Sequence, residues 1–378
     1  MSIYLDNAAT TMVCSEAANK AMELMQSCYG NPSSLHRAGL DAEKQVKQAR
    51  EILASIWRVQ PGQIYFTSGG SEGNNLAIQG ALRRNRMRGN VVITSRIEHP
   101  SISRTVRIME QLGFHVIQLD VDAGGSIDLE QLEASLNEQV SLVSLMHVNN
   151  ETGTIQDIQN IARLVKKKSN ALFHTDMVQS FGKIPCAITE DIDMATISGH
   201  KIHAPKGIGA LYLKDPRDIV PLIWGGGQEK NMRSGTENTP GICAFGVAAK
   251  LALETDAAQI ENIKQTLRTG IETTIKDITI NGENTSPYLL NISFLGVRAE
   301  VLLHTLESHG IMVSSGSACS SNHPMPSPTL TAMGCSKEQI EGAIRFSFSR
   351  YTTLDEVKTC CQVLQREVPL LRKFRMKS

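Results

Sequence analysis

The sequence predicts an α/β protein with a mainly parallel central sheet, followed by a smaller α+β domain. Three observations support this expectation. Between residues 60 and 213, short apolar runs rich in β-branched residues alternate with amphipathic stretches, and near residue 256 that alternation stops. The chain of 378 residues is also long enough for two domains with separate cores.

Seven apolar runs in the first part predict strands. They do not alternate strictly between apolar and polar residues, as expected of strands that are covered on both faces. Amphipathic stretches such as 101–113 and 157–170 lie between them and predict helices, so the strand–helix–strand order predicts parallel pairing. The predicted strands occupy residues 63–69, 90–96, 114–120, 140–148, 170–176, 193–198 and 208–213.

A different pattern follows residue 256. A long helical segment at 257–276 precedes two predicted strands, at 278–281 and 289–295, and a helix at 299–310. The stretch VSSGSACSSNHPMPSP (313–328) predicts neither helix nor strand, because Gly, Ser and Pro favour turns. The apolar segment AIRFSFSR and a C-terminal helix then complete a second, smaller α+β domain.

Composition excludes several classes of protein. The charge balance is even, with 38 basic and 38 acidic residues, so electrostatics do not favour nucleic acid or an anionic membrane as a partner. No apolar run approaches the ~18 residues of a membrane span, and the start MSIYLDNAATT lacks the features of a secretory signal. The eight cysteines form neither a CxxC pair nor a metal-ligand spacing. We therefore expect a cytoplasmic protein with reduced thiols and no metal site.

Four polar clusters are expected at the carboxyl ends of predicted strands, where open α/β sheets bind ligands. In the first, a strand runs into glycines and Ser71 before a helix, so exposed amides can bind a phosphate; a plain turn explains this pattern equally well. In the second, Asp176 ends a strand and Gln179 follows. An acid there can hold a protonated pyridine nitrogen or cap a helix. The clusters are TSGGSEGNN (67–75), HTDMVQS (174–180), SGHKIHAPKGIG (198–209) and GGGQEKNMRSGTENT (225–239).

The third cluster is the most specific. Lys201 follows a Ser–Gly–His turn and precedes a glycine-rich segment, as a lysine that forms a Schiff base in a pocket would. Ser198 and His200 can donate to a phosphate beside it, which a surface lysine in a turn would not explain. In the fourth cluster, Arg233 and Thr236 are candidate anion donors, and a flexible connection is the alternative.

A single cysteine, Cys319, lies among small residues in the 313–328 stretch. Buried structural cysteines usually lie in apolar runs. A thiol that must reach a reaction partner is better placed on a loop, because loops carry function on a rigid scaffold. Cys319 is therefore a candidate reactive thiol.

These clusters belong to a longer series of motifs that resembles the cysteine desulfurases, which are pyridoxal-phosphate enzymes. The series runs in order from residue 4 to about residue 353, nearly the whole chain. It consists of YLDNAATT (4–11), NPSSLHRAG (31–39), TSGGSEGNN, EHPS (98–101), HVNNETG (147–153), DMVQ (176–179), SGHK (198–201), RSGTENT (233–239), SSGSAC (314–319) and RFSFSR (345–350). The length of the loop around Cys319 resembles that of the iron–sulfur-cluster and nitrogen-fixation subgroup.

The resemblance implies a fold and partners. It implies the aspartate-aminotransferase-like fold type I, with a large cofactor-binding domain at 12–256 and a small domain, formed by 1–11 and 257–378, that carries the cysteine loop. The implied cofactor is pyridoxal 5′-phosphate. The implied assembly is a homodimer with shared sites, and the implied partners are L-cysteine and a sulfur-acceptor protein, either an iron–sulfur scaffold or a tRNA-thiolation enzyme.

It also implies a role for each matching residue. Lys201 binds the cofactor covalently, Cys319 is the nucleophile, and His99 stacks on the pyridine ring and transfers protons. The other matches are Asp176 at the ring nitrogen; Asn150 and Gln179 near the phenolic oxygen; Gly70, Ser71, Ser198 and His200 around the phosphate; Thr236 as a phosphate contact from the partner subunit; and Arg345, Asn31 and Asn150 at the substrate carboxylate.

Four positions depart from the family pattern. Ser71 replaces a threonine and keeps the hydroxyl, and Met177 replaces a small residue. The residues after the lysine motif are His203 and Ala204. The proline-rich NHPMPSP after Cys319 is atypical, and it bears on the movement of the loop and on the choice of partner.

The implied reaction converts L-cysteine into L-alanine and leaves a persulfide on Cys319, which an acceptor then takes. A selenocysteine lyase, another fold-type-I lyase or an aminotransferase needs much of the same cofactor site and differs in its substrate or in its need for Cys319. A catalytically inactive binding scaffold is a further alternative. The presence of Lys201, Asp176, His99 and Cys319 together argues against it.

Overall fold

The computed structural model describes residues 2–87, 89–185, 187–315 and 326–375. In these ranges the strands are β1 (Ile3–Tyr4), β2 (Ile64–Thr67), β3 (Val91–Ser95), β4 (His115–Leu119), β5 (Val140–Met146), β6 (Leu172–Asp176), β7 (Met194–Ser198), β8 (Gly209–Leu213), β9 (Ile278–Asn281), β10 (Leu289–Phe294), β11 (Ile311–Met312), β12 (Ser314–Ser315) and β13 (Ala343–Ser347). The helices are α1 (Ser15–Ser27), α2 (Arg37–Trp57), α3 (Gly70–Arg84), α4 (Pro100–Gln111), α5 (Leu129–Ser135), α6 (Ile158–Lys168), α7 (Thr239–Ala252), α8 (Ala257–Thr274), α9 (Ala299–Ser308), α10 (Pro328–Ala332), α11 (Lys337–Glu341) and α12 (Leu354–Arg375).

The large sheet has seven strands in the described residues, in the order β2-β8-β7-β6-β5-β3-β4. The pairs from β7 through β4 are parallel, whereas β8 runs antiparallel to both of its neighbours. One apolar cluster covers the sheet with residues of α1, α2, α6 and α7, and another covers it with residues of α3 and α4. The predicted α/β fold with a mainly parallel sheet is confirmed.

The strand β4 differs from the expectation that both strand faces are covered. It forms an edge of the sheet, and its His115 and Gln118 are exposed. The inner strands β3, β5 and β7 are buried along their whole length, as their continuous apolar runs predicted.

The second part of the chain builds a four-stranded antiparallel sheet in the order β12-β13-β10-β9. Helices α8, α9 and α12 contribute to the apolar cluster of this part. The chain start joins it, because β1 pairs in parallel with β11. The boundaries proposed at residues 11 and 256 remain predictions.

The expectation of irregular structure throughout 313–328 was wrong at both ends of that stretch. Ser314 and Ser315 form β12, which pairs with Arg345 and Ile344 of β13. At the other end, Ser327 caps α10 through a hydrogen bond from the amide of Leu330. Residues 316–325, which include Cys319, lie outside the described ranges.

Local sequence signals start the helices that border the site. His99 caps α4, and Pro100 takes the first helical position, where a missing amide hydrogen costs nothing. Asp157 caps α6 through the amide of Asn160, and three lysines end that helix where the helix dipole favours positive charge. Among the described helices, none combines the length and the apolar character needed to cross a membrane.

Candidate active site

The carboxyl ends of four neighbouring strands meet at one edge of the large sheet. His99 follows β3, His147 to Asn150 follow β5, Asp176 ends β6, and Ser198 ends β7 just before Lys201. Since parallel strands present their carboxyl ends at the same edge, the predicted clusters at 174–180 and 198–209 come together there. The cluster at 67–75 follows β2 and joins them, because Asn74 Nδ2 donates to Asp176 Oδ2. The fourth, at 225–239, lies beyond β8 and was wrongly expected to follow a strand directly.

Lys201 ends a short 3₁₀ turn (Gly199–Lys201) after β7. Its Nζ donates to the backbone carbonyl oxygens of Ala8, at 2.6 Å, and Ala9, at 2.7 Å. The amide and hydroxyl of Thr11 both donate to the carbonyl of His200, at 3.0 and 2.9 Å. The segment 4–11 therefore lines the site beside the candidate catalytic lysine.

Asp176 is buried, and both of its carboxylate oxygens accept hydrogen bonds. Oδ1 accepts from the amide of Val178 at 2.9 Å, and Oδ2 accepts from Asn74 Nδ2 at 2.7 Å. The bond from Val178 is a local turn contact, so Asp176 does not serve as a helix cap. Asn74 also donates to Ser101 Oγ at 2.8 Å, and Ser101 Oγ lies 2.8 Å from Nδ1 of His99. A continuous network thus joins His99 to Asp176.

The surroundings of His99 favour the neutral form of its imidazole. Burial lowers its pKa; the charge of Asp176 opposes that effect, while the positive charges of Lys201 and Arg104 add to it. Nδ1 accepts the amide hydrogen of Ser101 at 3.1 Å, so the proton of the neutral ring is on Nε2. His99 therefore presents an N–H group that can exchange a proton.

The start of α3 provides the candidate anion site. Gly69 precedes the helix with φ +156° and ψ −178°, a backbone conformation that is essentially restricted to glycine. Because this residue has no side chain, it does not cap the first turn of α3. Gly70 and Ser71 follow as the first two helical residues. Ser198 lies next to this turn, since a Cβ on Gly69 would be 3.9 Å from Ser198 Oγ. That hydroxyl is buried without a hydrogen-bond partner in the described residues.

His200 and the 225–239 segment fit the anion site less directly. The ring of His200 contacts Thr10 Oγ1 at 3.1 Å, and burial, together with three neighbouring lysines, lowers its pKa to about 4. Arg233 was expected to bind an anion, but it donates to both carboxylate oxygens of Glu72, at 2.8 and 3.3 Å. Thr236 is exposed in this chain, and the phosphate contact expected from it in a partner subunit remains a prediction.

Arg345 lies on β13 and is almost fully buried. Its guanidinium donates to Asp6 Oδ1 and to the backbone carbonyl of Asn150, both at 2.8 Å. Nε is buried without a partner in the described part of the chain. Asn31 is exposed, and its side chain accepts from the amide of Ser33, so the structure does not join it to Arg345.

The described flanks of the predicted cysteine loop lie close to Arg345. Before the loop, Ser314 pairs with Arg345 across β12 and β13. After the loop, Ser327 donates to Oε2 of Glu151, the residue that follows Asn150. Cys319 itself lies outside the described residues, so its role remains a prediction.

Several site residues were missed by the sequence analysis, although most lie inside the quoted motifs. Asn74 links Asp176 to Ser101, and Asp6 pairs with Arg345. Gln179, which was predicted, donates to the carbonyl of Ala8 at 2.9 Å. The motifs TSGGSEGNN and YLDNAATT were the available signal, but the partners are set by contacts between distant segments.

Glu98 was also missed. Its Oε1 accepts from Ser95 Oγ at 2.6 Å and from the amide of Met146 at 3.0 Å, while Oε2 is buried without a partner among the described residues. Burial raises its pKa to about 8; the two hydrogen bonds oppose the shift, and the charge of Asp176 adds to it. No group of three or more His, Cys, Asp or Glu side chains in the described ranges could hold a metal ion.

Comparison with known proteins identifies relatives across nearly the whole chain. Residues 3–360 match the family model described as aminotransferase class-V. The cysteine desulfurase of Trichormus azollae is 43% identical and covers 98% of this chain and 94% of its own; the cysteine desulfurase IscS of Dictyoglomus turgidum is 38% identical and covers 98% and 95%. A solved structure of a NifS-like protein is 35% identical, with a TM-score of 0.92 over 98% of this chain and 100% of its own.

Proposed function

The chain belongs to the aminotransferase class-V family and, within it, to the cysteine desulfurases, and on that premise we propose how its residues remove sulfur from L-cysteine. The products are L-alanine and a persulfide on Cys319. The observation that carries the residue assignment is the network at the sheet edge, in which neutral His99 is joined to Asp176 beside the charge of Lys201.

The residues present fit pyridoxal 5′-phosphate as the cofactor. Its phosphate would bind the amides of Gly70 and Ser71 at the start of α3, where the helix dipole favours an anion. The buried, unpartnered hydroxyl of Ser198 supports this assignment, because such a group costs free energy unless it gains a partner. His200 would contribute a further donor.

His99 and the side chains that follow β6 would hold the ring of the cofactor. The carboxylate of Asp176, held by Asn74 and Val178, would accept a hydrogen bond from the protonated ring nitrogen and keep that nitrogen charged. Gln179 and Asn150 would donate to the phenolic oxygen, and Lys201 Nζ would bind the cofactor covalently. When bound, the cofactor supplies an electron sink that stabilises negative charge at the substrate α-carbon.

Arg345 would bind the substrate carboxylate. Its buried Nε–H has no partner in the described residues, and guanidinium suits a bidentate grip on a carboxylate. Two other guanidinium hydrogens of Arg345 form hydrogen bonds with Asp6 and with the carbonyl of Asn150. These two bonds fix the plane of the guanidinium group. Asn31 is proposed as an additional contact.

Proton transfers in the reaction fall to Lys201 and His99. With substrate in the site, Lys201 Nζ would accept the α-proton of the substrate. His99, whose ring proton is on Nε2, is the second group that exchanges a proton in the reaction. The carbonyls of Ala8 and Ala9 hold Lys201 Nζ within a narrow range of positions.

Cys319 performs the sulfur transfer. Its thiolate attacks the sulfur atom of the substrate, a bond between the two sulfurs forms, and the carbon–sulfur bond breaks with its electron pair returning to the substrate carbon. Protonation of that carbon gives L-alanine, which leaves the site with its amino group retained. The persulfide then passes to a sulfur-acceptor protein, either an iron–sulfur scaffold or a tRNA-thiolation enzyme. Relatives named IscS support the first of these.

We further propose a homodimer in which Thr236 of each chain completes the phosphate site of the other. Thr236 is exposed in the single chain, and large apolar side chains are exposed nearby in sequence, including Trp224 at 75%. Leu35, at 92% exposure, lies in the motif that also contains Asn31. A cytoplasmic location suits a reaction that needs a reduced thiol on Cys319.

The test supplies purified protein with pyridoxal 5′-phosphate and L-cysteine and measures alanine together with protein-bound persulfide. The intact chain should release alanine, while Cys319→Ala should keep the visible absorption of bound cofactor and lose persulfide formation. Lys201→Ala should lose the absorption of covalently bound cofactor. Full alanine release by Cys319→Ala with a reductant present would refute the nucleophile assignment.

A further inference from the structure

A second lysine, Lys183, lies close to Lys201 and has no role in the reaction as described above. It follows the turn after Asp176 and is partly buried. Lys183 Nζ donates to Gln179 Oε1 at 3.0 Å and lies 5.8 Å from the ring centroid of Tyr288. Both lysines line one small cavity beside the site.

A hydrogen-bonded chain runs from Lys183 to Lys201. Lys183 Nζ donates to Gln179 Oε1, Gln179 Nε2 donates to the carbonyl oxygen of Ala8 at 2.9 Å, and Lys201 Nζ donates to the same oxygen at 2.6 Å. Below pH 7, where Lys183 is mostly protonated, its ammonium group can only donate, and a carbonyl oxygen can only accept. The amide of Gln179 can therefore satisfy both neighbours in one orientation only.

A flipped amide would meet two unfavourable contacts at once. The oxygen of Gln179 would face the carbonyl oxygen of Ala8, and its NH₂ group would face the ammonium of Lys183. In the orientation that these hydrogen bonds assign, Ala8 is the one acceptor of Gln179 Nε2 in the described ranges, so the second N–H can donate to a bound group. Without Lys183, the carbonyl of Ala8 would be the one remaining hydrogen-bond partner of this amide among the described residues.

The surroundings of Lys183 also argue against a purely structural role. Burial lowers its pKa to about 7, and the charged groups that act on it are two further cations, Lys201 and Arg345. Burying a cation near like charges is costly, and an apolar side chain would fill the same space at lower cost. A position that departs from local energetic preference is often a functional one.

We propose that Lys183 is a positioning residue for the reaction: it fixes the amide of Gln179 so that an N–H group, and never the carbonyl oxygen, faces the cofactor's phenolic oxygen and the Ala8 carbonyl that holds Lys201. The inference rests on the proposed function, because it takes pyridoxal 5′-phosphate as the group that Gln179 contacts. It adds to that function a residue that touches neither cofactor nor substrate.

The first test uses the cofactor-free protein, so that it does not depend on the proposed function. The side-chain amide resonances of Gln179, assigned through their loss in Gln179→Leu, report the hydrogen bond at Oε1. Lys183→Met should shift or broaden them, and Lys183→Arg should restore them in part. Lys264→Met is the matched control, because Lys264 is a buried lysine whose Nζ donates to Thr285 and Ser286. It should leave these resonances unchanged.

The second test uses the protein with cofactor bound. Lys183→Met should shift the visible absorption band of the resting protein and lower kcat/KM about tenfold, mostly through kcat, in line with the loss of a hydrogen bond from a charged group. Lys183→Arg should recover most of both. In a Gln179→Leu background, Lys183→Met should change kcat/KM less than about twofold, because the two residues act as one unit.

Two results would overturn the inference: unchanged Gln179 resonances in Lys183→Met, or an equal penalty with and without Gln179. If Lys183→Met does not fold, Lys183→Gln takes its place. That side chain can donate or accept, so it no longer selects the amide orientation, and the same changes are expected. A wild-type chain that binds no cofactor would contradict the proposed function, while the amide resonances would still decide the role of Lys183.

Discussion

Replacing Glu98 by Gln should make the protein more stable at high pH. Glu98 is buried beside Asp176, its Oε1 accepts two hydrogen bonds, and burial raises its pKa to about 8 from an ordinary value of 4.5. The folded state binds the proton of Glu98 more tightly than the unfolded state does. The resulting contribution to the free energy of unfolding is therefore fully present below pH 4.5 and is lost as the pH rises towards 8. Gln has nearly the shape of the protonated acid and does not titrate.

The magnitude follows from the two pKa values. A difference of one pKa unit corresponds to about 1.4 kcal/mol. With values of 4.5 and about 8, the contribution of Glu98 to the free energy of unfolding should fall by roughly 3 kcal/mol between about pH 5.5 and about pH 8. Glu98→Gln does not titrate, so its free energy of unfolding does not fall for this reason. The difference in free energy of unfolding between the variant and the wild type should therefore grow by the same amount over this pH interval.

Urea unfolding of the cofactor-free wild type and Glu98→Gln, at several pH values between about 5.5 and 8, measures this difference. Other titrating groups are common to both proteins and cancel in the comparison. Glu130→Gln, at an exposed position on α5, controls for the removal of one carboxylate. A stability difference between wild type and Glu98→Gln that does not change with pH would refute the reasoning.

Two further substitutions test the anion and carboxylate sites. Ser198→Ala should weaken pyridoxal-phosphate binding about tenfold. The cofactor-free protein should keep its stability or gain about 1 kcal/mol, because the variant lacks a buried hydroxyl that has no partner in the described residues. Titration of the visible absorption measures the binding and urea unfolding measures the stability; a less stable cofactor-free variant would contradict the assignment. Arg345→Lys keeps the positive charge but loses the planar guanidinium that can bind a carboxylate through two hydrogen bonds. KM for L-cysteine should therefore rise about tenfold or more, with a smaller change in kcat. Steady-state alanine release measures both constants, and an unchanged KM would contradict the role of Arg345.

The strands of the large sheet could be predicted because their signal is local. Runs such as 140–148 and 193–198 are continuous and apolar, and β5 and β7 occupy their interiors. The placement of Asp176 and Lys201 at one sheet edge also followed from local patterns, since each comes at the end of such a run. Parallel pairing then brings the ends together without further information.

The partners of the site residues could not be predicted in the same way. Asp6 and Arg345 are 339 residues apart in sequence, and Ala8 and Gln179 are 171 apart. These contacts depend on how the chain start packs between the two apolar cores, and no local pattern encodes that packing. The salt bridge between Arg233 and Glu72 is a contact of the same kind, and the sequence analysis did not predict it.

The chain start also determines where the two cations of the site lie. Asp6 accepts from Arg345, and the carbonyls of Ala8 and Ala9 accept from Lys201. Since two of these acceptors are backbone atoms, their position depends on whatever fixes the backbone between them. Asn7 does so: it is buried, and its Nδ2 donates to the carbonyls of Tyr4, at 3.2 Å, and Ser347, at 2.9 Å.

Asn7 contacts neither cation, yet it sets the spacing between their acceptors. Ser347 belongs to β13, the strand that carries Arg345, and the amide of Ala8 donates to Ser347 Oγ at 2.8 Å. The backbone that holds Lys201 is therefore bonded to the strand that presents Arg345. In the proposed reaction, the cofactor site on the large sheet and the carboxylate site on the small sheet bind one substrate together. Residues 4–8 connect the two sheets, so we infer that they set the position of one proposed site relative to the other.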